Sequence, residues 1–420
     1  MGLSVQQGTL AQPGGTGNQS ATGFGFQPGI TLFWGTEYTA TGAGTNALHS
    51  FSFGAAVDSG DYRAITANAD YTATSDNAFS HDDTRCIKFI SNAAAETAGA
   101  TFVSNDTNGF TINWAAADAT ARLINYLSIG GTTLTRAKTG QFTKATATGQ
   151  QRVTGIGFKP TAVIFFMATI GTAAPPQTAD GNSGLEIGFA RSSGQQNLSA
   201  ILFLDNVATT ANFGFATTRI TTCWEEISAG GATASIGALV TMDRDGFTIN
   251  WTTAAATATY IFYAAIQGPS IYVSSATANT STGNQAITGA GFTPIAGLFT
   301  NISSAATGIS ASLEGNMSFG AMTIATARSA ININADGDGE AADGLLDTTK
   351  VLRIYNQGTN THSADFVSWD TDGFTINYSA ATGTAYIYCY MLFGYTPTAG
   401  DAIALTESRQ TFMTISDAAR

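Results

Sequence analysis

The chain has 420 residues, 44% of them hydrophobic and only 11% charged, with 47 glycines and a net charge of −12. That length exceeds one ordinary core and fits two to four domains, while so few charges leave the surface to Thr, Ser, Asn, Gln, Ala and Gly. The 17 basic residues are scattered singly, which argues against a nucleic-acid groove and against an anionic membrane surface, both of which need clustered Lys or Arg.

The opening "MGLSVQQGTLAQPGG" has neither a basic n-region nor an apolar h-region, so no secretory signal is expected. Gly2 is present, but Gln6 stands where a myristoylation signal usually has Ser or Thr. From Thr16 the chain reads "TGNQSATGFGFQP", which returns as "TGQQRVTGIGFKP" from Thr148 and "TGNQAITGAGFTP" from Thr282. Each copy runs into an apolar stretch that begins at proline: "PGITLFW", "PTAVIFF" and "PIAGLFT". Proline is tolerated at the first residue of a strand and not within a sheet, so each stretch predicts a strand. A glycine then recurs in "FSFGAAV", "LEIGFAR" and "MSFGAMT", at Gly54, Gly188 and Gly320.

The third landmark is "DTNGFTINW" from Asp106, repeated as "DRDGFTINW" from Asp243 and "DTDGFTINY" from Asp370. Asn-Gly or Asp-Gly supplies a positive φ at low cost, and the alternation in "FTIN" turns Phe and Ile inward and Thr and Asn outward. Val103, Val240 and Val367 lie six residues before the turn glycines, and Tyr126, Tyr263 and Tyr390 lie 17 after them. The segment "AAADATARLINYLSI" and its two counterparts are expected to complete a hairpin with this strand, the Ala and Thr forming its loop. The apolar stretch at 384–395 is too short to cross a membrane as a helix and alternates in period two, as a buried strand does. No window sustains a capped 3.6-residue period.

A period of about 130 residues is too long for a solenoid or propeller unit, which runs to about 20–50. Each repeat therefore reads as a domain. The expected fold is all-β: three tandem homologous β-sandwich, jelly-roll-like domains at 1–131, 132–268 and 269–395, each with its own core, and a C-terminal tail at 396–420 that matches no repeat.

Chemistry is sparse. No G-x-S-x-G, H-E-x-x-H, Walker glycine loop or paired-Cys spacing occurs, so no catalytic residue, cofactor or resident metal is expected, and the chain reads as a non-enzyme. His49, His81 and His362 occupy no common repeat position and read as surface imidazoles. Cys86 and Cys223 share a repeat position, in cores expected to be separate, and with Cys389 they read as free buried thiols. Asp106, Asp243 and Asp370, with Asn108, Asp245 and Asp372 two residues on, suit backbone N–H acceptance in tight turns better than cation binding. Asn334, Asp336 and Asp338 followed by Gly339 have the alternation of a calcium loop, but Leu345 stands where a bidentate Glu is needed. Trp114, Trp251 and Tyr378 share one position, where they either form a stacking platform for sugar rings or close off the sandwich core.

The combination of "TG-x-GF-x-P", an apolar strand and "DGFTIN[W/Y]" with a later Tyr-rich strand resembles bacteriophage virion structural proteins: appendage, fibre and decoration proteins. The resemblance covers all three repeats. It implies a non-enzymatic component of a viral particle, made in a host cytoplasm and located in the virion, that contacts other virion or assembly subunits and forms a homo-oligomer. The alternatives are a lectin-like protein that recognises host surface glycans and a cell-surface adhesin or S-layer protein. Phe412, Met413 and Ile415 in the tail have no domain of their own to bury them and are expected to dock on an adjacent subunit.

Overall fold

The computed structural model describes residues 2–45, 48–70, 75–168, 173–207, 214–312, 315–324, 327–335, 343–356 and 359–394. Every helix or strand among them is a β-strand, and the strands form six antiparallel sheets, two per repeat. Repeat 1 begins with β1 (Leu3–Ala11), β2 (Gly17–Thr22), β3 (Pro28–Thr36), β4 (Gly42–Thr45), β5 (Leu48–Asp58) and β6 (Asp61–Asp70). It continues with β7 (Ala78–Asp82), β8 (Ile87–Ile90), β9 (Glu96–Asp106), β10 (Gly109–Ala116) and β11 (Leu123–Gly131). Repeats 2 and 3 carry the same strands in the same order.

In repeat 1 the larger sheet runs β1-β11-β3-β5-β6-β7, and the smaller runs β2-β10-β9-β8. Their facing sides enclose Phe33, Phe102, Phe110, Ile112, Trp114 and Tyr126. Phe33 meets Phe110 edge to face at 5.3 Å, and the equivalent pairs, Phe165 with Phe247 and Phe299 with Phe374, are 5.3 and 5.5 Å apart. Phe and Ile of the repeated "FTIN" thus face inward, as the alternation predicts.

Two glycine landmarks are explained, one by close approach and one by backbone conformation. A Cβ on Gly54 would stand 2.0 Å from the Cys86 carbonyl oxygen where the two sheets touch, and Gly188 and Gly320 meet the Cys223 and Val351 carbonyls at 2.0 and 2.2 Å. The turn glycines Gly109, Gly246 and Gly373 have φ of 146°, 144° and 151°, a region that side chains rarely adopt. At the register shift in each preceding strand, Val103, Val240 and Val367 are the extra, unpaired residues, bulge outward and are exposed.

The expected hairpin across the Ala- and Thr-rich segment is corrected. β10 pairs with β2 and β9, whereas β11 pairs with β1 and β3 in the other sheet, so residues 117–122 cross between sheets. The crossing lets Trp114 and Ile124 enter the same core from opposite sides. The hairpin made by the repeated phrase is β9–β10, with Asp106 opposite Gly109.

The expectation of wholly separate cores is corrected too. Each larger sheet gains a seventh strand from another repeat. Gln177–Asp180, the counterpart of β4 in repeat 2, pairs with β7; Gly308–Ser312 of repeat 3 pairs with Gly214–Arg219 of repeat 2; β4 pairs with Asp343–Asp347 of repeat 3. The exchange closes on itself as a ring of three. The first strand of each repeat also leans on the counterpart of β6 in the preceding one. Thr139 N donates to Asp61 Oδ1 at 2.8 Å, Asn197 Nδ2 donates to Ser274 O, and Gln7 Nε2 donates to Ser329 Oγ at 2.9 Å.

Inside the ring the outer faces of the three larger sheets bury one continuous apolar cluster. Phe53 lies 5.2 Å from both Phe166 of repeat 2 and Phe319 of repeat 3, and Trp34 lies 5.2 Å from Phe319. Each repeat therefore contributes to two cores, one of its own and one held in common. Truncating Phe319 to Ala should destabilise the whole chain by about 3–5 kcal/mol in urea unfolding, since its ring contacts lie in repeat 1; a loss below about 1 kcal/mol would place Phe319 outside a packed centre.

Candidate functional site

The three aromatic positions proposed for sugar stacking are closed to solvent: Trp114, Trp251 and Tyr378 have exposures of 0%, 1% and 0%. Of the two alternatives this selects closure of the sandwich core over the stacking platform, because the ring faces are spent on the private cores. Trp114 Nε1 donates to Gln19 Oε1 and Trp251 Nε1 to Gln151 Oε1, both at 2.8 Å. Gln285, at the same position in repeat 3, instead accepts from Tyr388 Oη at 3.3 Å. Each of these glutamines also donates to the end of the repeat's first strand, at Ala11 O, Thr143 O and Thr277 O. Sequence reading passed over this Gln. Its recurrence in "TG-[N/Q]-Q" was the available signal.

The paired acids of the third landmark have separate tasks. Asp106 accepts from the hydroxyls of Ser104 and Thr111 at 2.7 Å, and Asp370 accepts from Ser368 at 2.8 Å and Thr375 at 2.7 Å, locking the hairpin through side chains rather than backbone N–H groups. The second residue reaches the glycines of the first landmark. Gly25 N donates to Asn108, Gly155 N and Gly157 N donate to Asp245, and Gly289 N and Gly291 N donate to Asp372, at 2.5–3.1 Å. These N–H groups hold the Asp245 carboxyl below the usual carboxylate range. The two landmarks recur together because one grips the other.

The calcium-like loop lies largely outside the described residues, as does the tail with Phe412, Met413 and Ile415. Leu345 is buried. Carboxylates gather elsewhere: ligand atoms of Asp76, Asp180 and Asp205 lie within 4.8 Å of one another, across the seam between repeats 1 and 2. Asp205 Oδ1 accepts from Asn77 N at 2.9 Å and Asp76 Oδ2 from Asn92 Nδ2 at 3.1 Å. These are the residues with the donor set for a divalent cation among the described ones.

The three histidines are buried, not exposed, which corrects their reading as surface imidazoles. His81 lies at the same seam, 5.7 Å from the Phe262 ring, and its Nε2 has no hydrogen-bond partner among the described residues. Cys86, Cys223 and Cys389 are free and buried, and burial raises all three thiol pKa values, that of Cys389 to about 12. Such thiols are poor nucleophiles. Glu186, its carboxyl pushed well up by burial, lines a cavity of about 20 Å³ with Glu225 and Glu226. That space holds about one water and no substrate.

An open groove of about 1290 Å³ lies on repeat 2. Four exposed cations line it: Arg136, Lys159, Arg191 and Arg244. Phe158, Pro160, Val240 and Met242 form apolar wall between them. Arg136 donates to Gly157 O at 2.7 Å and Arg191 to Gln195 Oε1 at 3.1 Å.

No family model and no curated protein matches the chain. Among solved structures, the di-domain ARO/CYC StfQ from the steffimycin biosynthetic pathway aligns at 9% identity over 63% of this chain and 85% of that one, with a TM-score of 0.10, which carries no argument. No helix among the described residues is long and apolar enough to cross a membrane.

Burial drives the His81 pKa from 6.5 down to about 3. The unfolded chain takes up this proton near the ordinary value and the folded chain only near the lower one. Stability is therefore lost as pH falls between the two, at up to about 1.4 kcal/mol per pH unit. Leu346 fills the equivalent position in repeat 3. His81→Leu should reduce the slope of unfolding free energy against pH, between about pH 6 and pH 4, by close to one proton; an unchanged slope would mean that His81 titrates normally.

Proposed function

We propose that this chain is a non-enzymatic structural component of a viral particle, a phage decoration or tail-fibre protein that acts through protein–protein contacts. The observation that carries this reading is the closed ring of three repeats joined by cyclic strand exchange. A single chain so built presents three similar lateral faces around one centre, as three separate subunits would, while the loops and side chains of each face have diverged. That suits a position where each face meets a different neighbour, and it makes the chain by itself the equivalent of a trimer.

The larger sheets add to this reading because the donated strand covers what would be an open edge next to β7 and its counterparts, and an uncovered edge invites uncontrolled pairing. The tail at 396–420, with Phe412, Met413 and Ile415, docks on an adjacent subunit in this proposal. The lectin-like alternative loses its aromatic platform with the burial of Trp114, Trp251 and Tyr378, and no observation favours the adhesin or S-layer alternative over the particle. Mass spectrometry of virus particles purified from the source culture should recover this chain at fixed stoichiometry, and deletion of 400–420 should lower its incorporation without loss of β-sheet circular dichroism. Abundance in the lysate with absence from particles would overturn the reading.

A further inference from the structure

We propose that the groove of repeat 2 binds an acidic, partly apolar peptide segment of a protein partner. The proposal stands on the groove alone and holds whether or not the chain belongs to a virus.

The first observation is the distribution of unpaired charge. Of the 17 Lys and Arg residues, Arg409 and Arg420 lie outside the described residues. Nine of the others form ion pairs with carboxylates. The six that form none among the described residues are Arg63, Arg136, Lys138, Lys159, Arg191 and Arg244, and four of these line the groove. A fifth, Lys138, is outside the lining: its Nζ donates to Gly155 O at 2.7 Å, and its charge acts on the Asp245 carboxylate. The acids next to Arg244 are engaged elsewhere: Asp243 by Thr248 and Arg152, and Asp245 by the N–H groups of Gly155 and Gly157.

The second observation is that the repeats act as internal controls. By register and landmark spacing, Arg136 corresponds to Ser4 and Ser270, Lys159 to Gln27 and Thr293, Arg191 to Val57 and Thr323, and Arg244 to Thr107 and Thr371. All four cations are thus confined to one repeat, at positions where the same backbone elsewhere carries uncharged residues. Folding does not require them, and they converge from four separate segments on one concavity. Exposed cations in a chain of net charge −12 would otherwise find acids of their own surface, so their clustering without acids leaves an anionic partner as the complement.

The third observation decides the class of anion. Phe158, Pro160, Val240 and Met242 interrupt the cations, and Val240 is pushed outward by its bulge. A sulfated glycan has no apolar side groups to match that wall, and a nucleic acid would need exposed aromatic faces on which to stack its bases, whereas the aromatic residue of the lining, Phe158, is buried. A peptide alternates carboxylates with apolar side chains, and Arg pairs with carboxylates in two-point geometry.

The test is fluorescence anisotropy on the full chain with a short fluorescein-labelled peptide that alternates Glu with Leu, with heparin and oligo(dT) as competing polyanions. Binding is expected, weakening as salt rises, and the double charge reversal Arg191→Glu with Arg244→Glu should weaken it by about tenfold or more. Thr107→Glu with Thr371→Glu, at the equivalent places in the other repeats, should leave it unchanged. All four positions are solvent-facing loop or strand-end sites, and Lys159→Ala provides a milder variant that should lower affinity in the same direction. Absence of binding by the Glu-Leu peptide, or binding indifferent to both groove variants, would overturn the site. Stronger binding of heparin or oligo(dT) than of the Glu-Leu peptide would overturn the peptide assignment.

Discussion

The apolar face that each larger sheet turns away from its own sandwich is what the rest of this structure answers to. In repeat 1 that face contributes twelve residues to the common cluster, from Ile30, Leu32 and Trp34 to Phe51, Phe53 and Leu127. Fully burying one such large side chain is worth about 1.5–3 kcal/mol, whereas a folded domain is typically stable by only about 5–15 kcal/mol. A lone repeat that left this face in water would forfeit more than its whole margin. The smaller sheet cannot help, since it is already spent on the private core. Three faces turned toward one another solve the problem for all three at once, and the strand exchange follows from that closeness.

The exchanged strands are short, four or five residues each, and their hydrogen bonds set the order of the ring more than they stabilise it. Around them the repeats have diverged while keeping the same devices. Asp82 with Lys88 and Asp347 with Arg353 form ion pairs between the last residue of the β7-type strand and the second of the β8-type strand. At the same two places repeat 2 has Arg219 with Glu225, the charges reversed and the pair intact at 2.6 Å. Both groups of such a partly buried pair must change together, because one alone leaves an uncompensated charge. Cys86, Cys223 and Val351 likewise share one place, where a small apolar side chain suffices.

What was legible in the sequence is what each repeat must solve locally. The turn glycines, the inward Phe110, Phe247 and Phe374, and the strand-opening prolines Pro28 and Pro294 all answer to neighbours a few residues away or to one fixed backbone conformation. The ring was not legible. In "PGITLFW" the alternation shows two apolar faces, with Phe33 on one and Ile30, Leu32 and Trp34 on the other, but periodicity cannot say what covers each. The Ala- and Thr-rich crossing at 117–122 has the composition of a hairpin loop, and only the pairing partners of β10 and β11 tell the two apart. Strands as short as Gly42–Thr45 carry too few residues to encode a partner some 300 positions away. For the candidate sites, the aromatics sat at a shared position for packing reasons, and the groove stayed hidden because its four cations lie far apart in sequence and meet only in the folded repeat.

Calorimetric unfolding of the full chain tests the common core most directly. If the three larger sheets depend on one another, the chain melts in a single transition whose van't Hoff and calorimetric enthalpies agree, since no repeat retains a covered apolar face once another opens. Three resolved transitions, or a calorimetric enthalpy about three times the van't Hoff value, would show that the repeats fold independently and would contradict the account.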